Sequence, residues 1–233
     1  MSTTAGSQTL SRGIRILEAL ADAREPLSID DLAQRLDVHR SIAYRLVRTL
    51  EDHRLVLRDA AGRVALGARM AALAAGVAHD LQAEALRELT AVAGDLGMTC
   101  FLAVLDGDEC ITLASVEPKH AVASVAQRPG ARHSIAVGAP SKAILSTLPA
   151  SQWPIDADAA LRADVDAVVQ RGWATSHDEV IPTVQAVAVP LRLGARHRPA
   201  AIAVVHVAAP DDPPAIAARL EHSAAVIRAA LGG

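Results

Sequence analysis

The sequence predicts an α+β protein in two parts, an N-terminal winged helix-turn-helix that is mainly helical and a C-terminal domain with a mainly antiparallel sheet. Three observations predict it. Apolar residues recur at helical spacing in three segments between Leu10 and Leu50, and a short hairpin pattern follows to Leu66. Residues 67–79 are rich in Ala, Leu, Met and Val, which favours a connecting helix. From Thr99 onward, short β-prone runs mix with helical segments.

The first two helices are predicted from caps and apolar stripes. Helix one spans about Ser11–Asp22, with Ser11 as the candidate cap and an inward face formed by Ile14, Ile16, Leu17 and Leu20. Ser28 is the candidate cap of the second helix, and Asp30 and Asp31 lie in its positive first turn. The stripe of that helix comprises Ile29, Leu32, Ala33 and Leu36.

A third helix is expected to begin near His39 to Ser41 and to have two unlike faces. At about 100° per residue, the apolar face holds Ile42, Leu46, Thr49 and Leu50. The opposite face holds Ser41, Tyr44, Arg45 and Arg48. This division is what a major-groove reading helix needs, because one face anchors the helix and the other offers donors to phosphates and base edges.

The same face would also be compatible with a merely solvated basic helix. The following residues favour DNA binding, because two β-prone segments flank the turn at residues 59–62 and place Arg58 and Arg63 beside the tip of a wing. The predicted DNA contacts are Arg35, His39, Arg40, Ser41, Tyr44, Arg45, Arg48, Arg58 and Arg63.

Charge is divided unevenly along the chain. Residues 1–70 carry eleven Arg and nine acidic residues, whereas residues 71–233 carry twelve basic and seventeen acidic residues. A basic N-terminal region joined to an acidic remainder is typical of a protein whose N-terminal region binds a polyanion. No apolar run approaches the roughly 18 residues of a membrane span, and residues 1–8 lack a signal-peptide pattern. A cytoplasmic protein with reduced, half-buried Cys100 and Cys110 is expected.

The C-terminal region is predicted to begin with a helix over Leu81–Leu96. Further helices are expected at Ser141–Leu148, Leu161–Gln170 and Pro213–Leu231. The predicted strands are Thr99–Leu105, Cys110–Val116, Ala121–Gln127, Gly172–Ser176, Val184–Leu191 and Ala200–Ala208.

The order of the N-terminal pieces resembles the winged helix-turn-helix of the IclR family of bacterial transcriptional regulators. The residues that carry the resemblance are the opening helix Leu10–Leu20, Leu32 and Ala33, the segment Ser41–Leu50, and the wing end Gly62–Gly67. It implies a DNA-binding domain over residues 1–67, a linker helix over 68–80, and a GAF-like effector-binding and oligomerisation domain over 81–233. It also implies that the protein binds double-stranded operator DNA as a homodimer or a dimer of dimers. Such a regulator acts as a repressor or an activator, usually of genes for catabolism.

Three features of the second domain are candidates for effector binding. A small-residue loop ending in Gly138 and Ala139 precedes a helix, and free N–H groups at such a junction can bind a carboxylate. His206 shares a strand face with apolar neighbours, which fits either a core histidine or a ligand contact. The third feature is the polar run Ser176–Glu179 before the strand that ends in Ala188 and Pro190.

The resemblance places these features around one pocket for a small organic acid. Lys142 and Ala143 match the family's signature, whereas Ser141 stands where Gly is usual and Ala186 where Cys or Ser is frequent. The second departure implies a more apolar or differently shaped ligand. The predicted effector contacts are Ser124, Gly138, Ala139, Ser176, His177, Asp178, Val184, Ala186, His206 and Ala208.

No motif for catalysis or for a cofactor is recognisable. The sequence contains no GxSxG, Walker A, GxGxxG or HExxH pattern, so no enzyme, metal or cofactor is expected. Two alternatives to a ligand-responsive regulator remain. One is a winged helix that mediates protein association without sequence-specific DNA binding, and the other is a DNA-binding protein whose pocket is vestigial.

Overall fold

A computed structural model of the chain describes residues 6–23, 25–119, 125–194, 197–207 and 212–232. The chain divides into two compact units, one ending at Val77 and the other beginning at Ala78. The first unit contains the helices α1 (Gln8–Asp22), α2 (Ile29–Leu36), α3 (Arg40–Asp52) and α4 (Arg69–Ala74), and the strands β1 (Val56–Arg58) and β2 (Val64–Leu66).

Helix α2 forms as its sequence predicts. The hydroxyl of Ser28 accepts a hydrogen bond from the N–H of Asp31 at 3.1 Å, and the Asp31 carboxylate accepts one from the N–H of Ser28 at 2.9 Å. These reciprocal bonds satisfy two N–H groups that a helix start leaves unpaired. The pKa of Asp31 is lowered, first by a hydrogen bond from the Ser28 hydroxyl at 2.7 Å and then by the bond from the Ser28 N–H. Ile29, Leu32, Ala33 and Leu36 are all buried.

Helix α1 differs from the prediction in its cap and in its inward face. Ser7, rather than Ser11, caps the helix. The buried residues are Gly13, Ile16 and Leu20, while Ile14 is 47 % exposed. The spacing of 13, 16 and 20 is an ordinary helical stripe, but a glycine at its start carries no apolar side chain and hid that stripe in the sequence.

The buried face of α3 is rotated from the predicted one. Ala43, Leu46, Val47 and Leu50 are buried, and Ile42 is only partly covered. Thr49, predicted to face inward, is exposed, and its hydroxyl donates to the carbonyl of Arg45 at 3.1 Å. The stripe 43, 46, 47 and 50 follows the helical repeat more closely than the predicted set does.

The second unit is built on a six-stranded sheet of order β5-β4-β3-β8-β7-β6, in which every neighbouring pair is antiparallel. Its strands are β3 (Thr99–Asp106), β4 (Glu109–Val116), β5 (Arg132–Ser134), β6 (Ala174–His177), β7 (Gln185–Leu191) and β8 (Ala200–His206). Its helices are α5 (His79–Leu96), α6 (Ala139–Leu145), α7 (Ala159–Arg171) and α8 (Pro213–Ala230), and a 3₁₀ turn covers Ala150–Gln152.

Two apolar cores lie on opposite faces of this sheet. One joins α5 and α8 to a strand face that includes Cys100, Val187 and Ile202. The other joins α6 and α7 to a face that includes Phe101, Ala186 and Val205. Cys100 and Cys110 are free thiols, fully rather than half buried, and burial raises the pKa of Cys110 to about 12.

The predicted fold class is confirmed, with local differences. Strand β5 was not predicted, because three residues with two exposed side chains carry no apolar alternation. Of the strand predicted at Ala121–Gln127, residues 121–124 lie outside the described residues and 125–127 form no strand. Within the described part of the chain, no helix combines the length and hydropathy needed to cross a membrane.

The wing end provides a stability test at Gly67. A Cβ at this position would lie 2.4 Å from the carbonyl oxygen of Arg54, and the Gly67 N–H donates to Leu55 at 2.8 Å. Gly67→Ala should therefore destabilise the first unit by about 1–3 kcal/mol, because backbone must move. Gly13→Ala is the control: a Cβ there meets nothing within 4 Å and should stabilise α1 by about 0.5–1 kcal/mol.

Denaturant unfolding followed by circular dichroism measures this difference. Trp153 and Trp173, the two tryptophans of the chain, both lie in the second unit, so their fluorescence reports that unit separately. A Gly67→Ala protein as stable as wild type would contradict the close approach of residues 54 and 67.

Candidate nucleic-acid interface and ligand cavity

The outward face of α3 is polar and cationic. Among the predicted DNA contacts, the following are exposed at the end of α2, in the turn and along α3: Arg35, His39, Arg40, Ser41, Tyr44, Arg45 and Arg48. Asp37, Thr49 and Asp52 are exposed as well. Tyr44 is 45 % exposed although it is a large aromatic residue. Among the described residues, neither Arg45 nor Arg48 has an ion-pair partner. Two guanidinium groups are thus available to an external acceptor.

His39 fixes the start of this face. Its Nδ1 accepts from the N–H of Ser41 at 3.3 Å and lies 2.8 Å from the Ser41 hydroxyl. An Nδ1 that accepts these bonds leaves the ring proton on Nε2, where it can be donated outward. The preceding turn is tight, because Asp37 adopts the left-handed conformation with φ 52°.

Two of the predicted arginines have partners within the protein. Arg40 pairs with Asp30 at 2.9 Å, with both side chains about 70 % exposed, a geometry that contributes little to stability. Arg58 is held more firmly, with its Nε 2.8 Å from Glu51 and its guanidinium 5.0 Å from the centre of the Tyr44 ring. Sequence reasoning did not identify Glu51, which orients Arg58 and through it Tyr44.

The tip of the wing is ordered by Asp59. Its carboxylate accepts from the N–H groups of Ala61 at 2.9 Å and Arg63 at 2.8 Å. Gly62 has φ +76° in this turn, a conformation that favours glycine. The Arg63 side chain is exposed beside the tip, as its position in the sequence predicts.

The second unit contains a small cavity between the sheet and α6, the less open of two neighbouring cavities, which we call the enclosed cavity. Its volume is about 40 Å³, room for a few water molecules. It is lined by Phe101, Gln127, His133, Gly138, Pro140, Ser176, Val180, Ile181, Val184, Ala186 and Val205, and no residue among them carries a full charge. Ligand pockets are typically about 300–1,000 Å³, so this cavity is too small for such a ligand unless one of its walls moves.

A larger, open cavity lies beside it and shares Ser176 and Ala186 with it. Its volume is about 490 Å³. The lining is polar and includes Lys142, Asp164, His177, Glu179, Gln185 and His206.

The predicted effector residues are distributed over both cavities. Gly138, Ser176, Val184 and Ala186 line the enclosed one, while His177 and His206 line only the open one. Asp178 is exposed at the start of the loop that holds Val180 and Ile181, and Ala139 is buried in α6. Ser124 and Ala208 lie outside the described residues.

The strand register explains the position of His206. It lies opposite Gln185, one residue beyond Val205, and successive side chains of a strand point to opposite faces. Ile202 and Val204, predicted to share the face of His206, pack in the core with α5 and α8. Val205 is the residue of this strand that lines the enclosed cavity.

Glu179 and Lys142 form a bridge that the sequence did not reveal. The Glu179 carboxylate accepts from the Gly138 N–H at 2.8 Å and from Lys142 Nζ at 2.6 Å. Lys142 Nζ also lies 2.7 Å from Asp164. Burial alone would lower the pKa of Lys142, but its hydrogen bonds to Asp164 and Glu179 raise it, so the ammonium stays charged. The Gly138 N–H, expected to be open to a ligand, is therefore in use.

His133 is a further cavity residue without a signal in the sequence. Its Nε2 lies 3.3 Å from the Ser141 hydroxyl. Burial lowers the pKa of His133, so the imidazole is neutral at pH 7. It was missed because it lies on β5, the strand that was not predicted. The described residues contain no cluster of three or more His, Cys, Asp or Glu that could hold a metal ion.

Comparison with known proteins agrees with this architecture. Residues 9–60 match the IclR helix-turn-helix domain. The probable transcriptional regulator SauR of Cupriavidus necator is 30 % identical over 211 residues, which cover 83 % of each chain. An IclR transcriptional regulator from Alicyclobacillus acidocaldarius has a TM-score of 0.83 at 26 % identity, covering 98 % of this chain and all of the other.

A further solved structure shares the fold at lower identity. It is an IclR homologue from Microbacterium hydrocarbonoxydans in complex with 4-hydroxybenzoate, with a TM-score of 0.82 at 22 % identity, covering 97 % of this chain and 99 % of the other. These relatives are transcriptional regulators and not enzymes. With the helix-turn-helix match, the identity to SauR and the shared two-part fold, the chain belongs to the IclR family of transcriptional regulators.

Proposed function

We propose that this regulator binds operator DNA through α3 and the wing, and that a small organic acid bound in the second unit controls the binding. The observation that carries the DNA-binding part is the division of α3. Ala43 and Val47 are fully buried on one side, whereas Tyr44, Arg45 and Arg48 are exposed on the other. A helix anchored in this way presents donors to the major groove.

The expected contacts differ in kind. Arg45 and Arg48, which have no partner among the described residues, are suited to bidentate bonds with guanine edges or to phosphate. His39, Ser41 and Arg63 offer donors at the two ends of the surface and fit backbone phosphate. The remaining predicted contacts are Tyr44, in the middle of the outward face of α3, and Arg35, Arg40 and Arg58.

Self-association is part of the proposal. Leu10 and Ile14 lie one turn apart on α1 and are 64 % and 47 % exposed, and Leu73 of α4 is 60 % exposed. Large apolar side chains exposed at helical spacing favour burial against another surface. A dimer, or a dimer of dimers, would present two copies of α3 to paired half-sites.

The effector is proposed to be a carboxylate of catabolic origin. Supporting this, a relative of the same fold binds 4-hydroxybenzoate, an aromatic acid. Phe101 and aliphatic side chains form most of the lining of the cavity between α6 and the sheet, beside the polar Gln127, His133 and Ser176, which suits the apolar body of such a molecule. The regulated operon would then concern use of that acid.

Loss of one arginine from α3 tests the DNA contact. Arg45→Ala should weaken binding to a selected duplex by at least about tenfold, the effect of one charge-assisted contact. Fluorescence anisotropy measures it. Arg192→Ala removes the same charge from an exposed position in the second unit and should leave affinity unchanged. Equal affinities for wild type and Arg45→Ala would favour the protein-association alternative.

Salt dependence tests the electrostatic part separately. If each subunit of a dimer contacts phosphate through three Arg, log K against log salt should have a slope on the order of −5. Loss of a phosphate-binding Arg from both subunits should make it shallower by about 2. A slope near zero would be incompatible with binding through α3 and the wing.

Thermal unfolding tests ligand response. A panel of small organic acids that begins with 4-hydroxybenzoate should include a binder that stabilises the second unit, by about 2.7 kcal/mol at 100 times its Kd. Ala186→Val should abolish the shift, because Ala186 lines both cavities and added methyl groups fill the smaller one. Stabilisation that persists in Ala186→Val would place the ligand elsewhere.

A further inference from the structure

We propose that Lys142 binds the carboxylate of the effector and that Glu179 occupies the place of this carboxylate in the ligand-free protein. The inference rests on the proposed ligand response and gives roles to two residues that are not among the predicted effector contacts. Binding would exchange one carboxylate for another and release the loop that carries Glu179.

The contacts of Glu179 are those a bound carboxylate would make. One oxygen accepts from the Gly138 N–H at 2.8 Å and the other from the Lys142 ammonium at 2.6 Å. Lys142 is 7 % exposed although its side chain lines the open cavity, so the ammonium is largely covered by protein on its other sides. A buried ammonium and an N–H group that share one carboxylate form a receptor for that group, whether it belongs to a side chain or to a ligand.

The loop of residues 178–184 holds Glu179 in place at a conformational cost. Asp178 has φ 61° and Thr183 has φ 66°, left-handed conformations that a β-branched residue such as Thr rarely adopts. The Asp178 N–H donates to Val184 at 3.1 Å and closes the loop on itself. The bonds of Glu179 therefore stabilise a closed loop whose backbone favours another conformation.

The same loop closes the enclosed cavity. Val180 and Ile181 line that cavity, yet they are 45 % and 42 % exposed, so they form a thin wall. Glu179, the residue before them, lines the open cavity of about 490 Å³. If the loop moved and carried Glu179 and Val180 away, the enclosed cavity of about 40 Å³ would join the open cavity of about 490 Å³. The joined cavity would have room for a ligand.

Charge balance favours exchange over addition. Lys142 already faces two carboxylates, Asp164 at 2.7 Å and Glu179 at 2.6 Å, and no charged residue lines the enclosed cavity. A third carboxylate beside the two would lack a cation. If the ligand replaces Glu179, the count of charges around Lys142 does not change, and Glu179 moves to water. The geometry thus fits a monocarboxylate with an apolar body.

Calorimetric titration of the full chain with benzoate and 4-hydroxybenzoate tests the exchange. Glu179→Gln removes the competing charge and should bind these acids on the order of tenfold more tightly than wild type. Asp164→Asn is the matched control, because it removes an equal charge from Lys142 at a carboxylate that makes no bond to the Gly138 N–H. It should bind the acids like wild type. The double variant Lys142→Met, Glu179→Gln removes both charges of the bridge and leaves only the carboxylate of Asp164, whose side chain is 54 % exposed to water. It should bind neither acid.

Three results would overturn the proposal. Equal gains in Glu179→Gln and Asp164→Asn would mean that general electrostatics, not exchange, governs affinity. Absence of binding of either acid to folded Glu179→Gln would show that Lys142 and Gly138 form no carboxylate receptor. Binding of methyl 4-hydroxybenzoate but not of the acids would keep a ligand-responsive cavity and remove Lys142 from it.

Hydrogen exchange at residues 178–184 should also be faster in Glu179→Gln, and unchanged protection would contradict the role of Glu179 in closing the loop.

Discussion

The burial of one stripe of α3 determines what the other stripe can do. Ala43 and Val47 are fully covered and Leu46 and Leu50 nearly so, which fixes the rotation of the helix about its axis against α1 and α2. Arg45 and Arg48 then face outward without a partner among the described residues. Because apolar burial is the dominant favourable contribution to folding, the protein can keep two guanidinium groups uncompensated at its surface. The DNA binding that we propose depends on that arrangement.

How far the sequence predicts the structure depends on the range of the interactions. Local signals were sufficient for α2, where the Ser28 cap and its Asp31 partner lie three residues apart. Local signals were misleading for α1, because Gly13 holds a buried position without an apolar side chain. They were also misleading for Thr49, whose side chain is exposed and donates a hydrogen bond to the carbonyl of Arg45 within α3. They failed for the bridge of Lys142 and Glu179, because 37 residues separate the partners and only the sheet and α6 bring them together.

The ligand region shows the same limit. Gly138, Ser176, Val184 and Ala186 were predicted to surround one site, and they do line one cavity. His206 was expected beside them, but the strand register turns it to the open cavity instead. The occupied Gly138 N–H and the small cavity volume could not be read from the sequence, since both depend on where the loop of residues 178–184 folds back. In the proposed exchange, a ligand carboxylate takes the place of Glu179 and the loop of residues 178–184 moves away from the cavity.

Site-directed photo-crosslinking at position 44 tests the central claim most directly. Tyr44 is 45 % exposed in the middle of the outward face of α3, so a photoreactive phenylalanine derivative there should be accepted without loss of the fold. Irradiation with operator duplex should yield a protein–DNA cross-link that mapping places at a major-groove base edge. The same derivative at Leu86, 49 % exposed on α5 in the second unit, should yield none. Cross-linking from position 86 but not from position 44 would contradict the account of α3 as the reading helix.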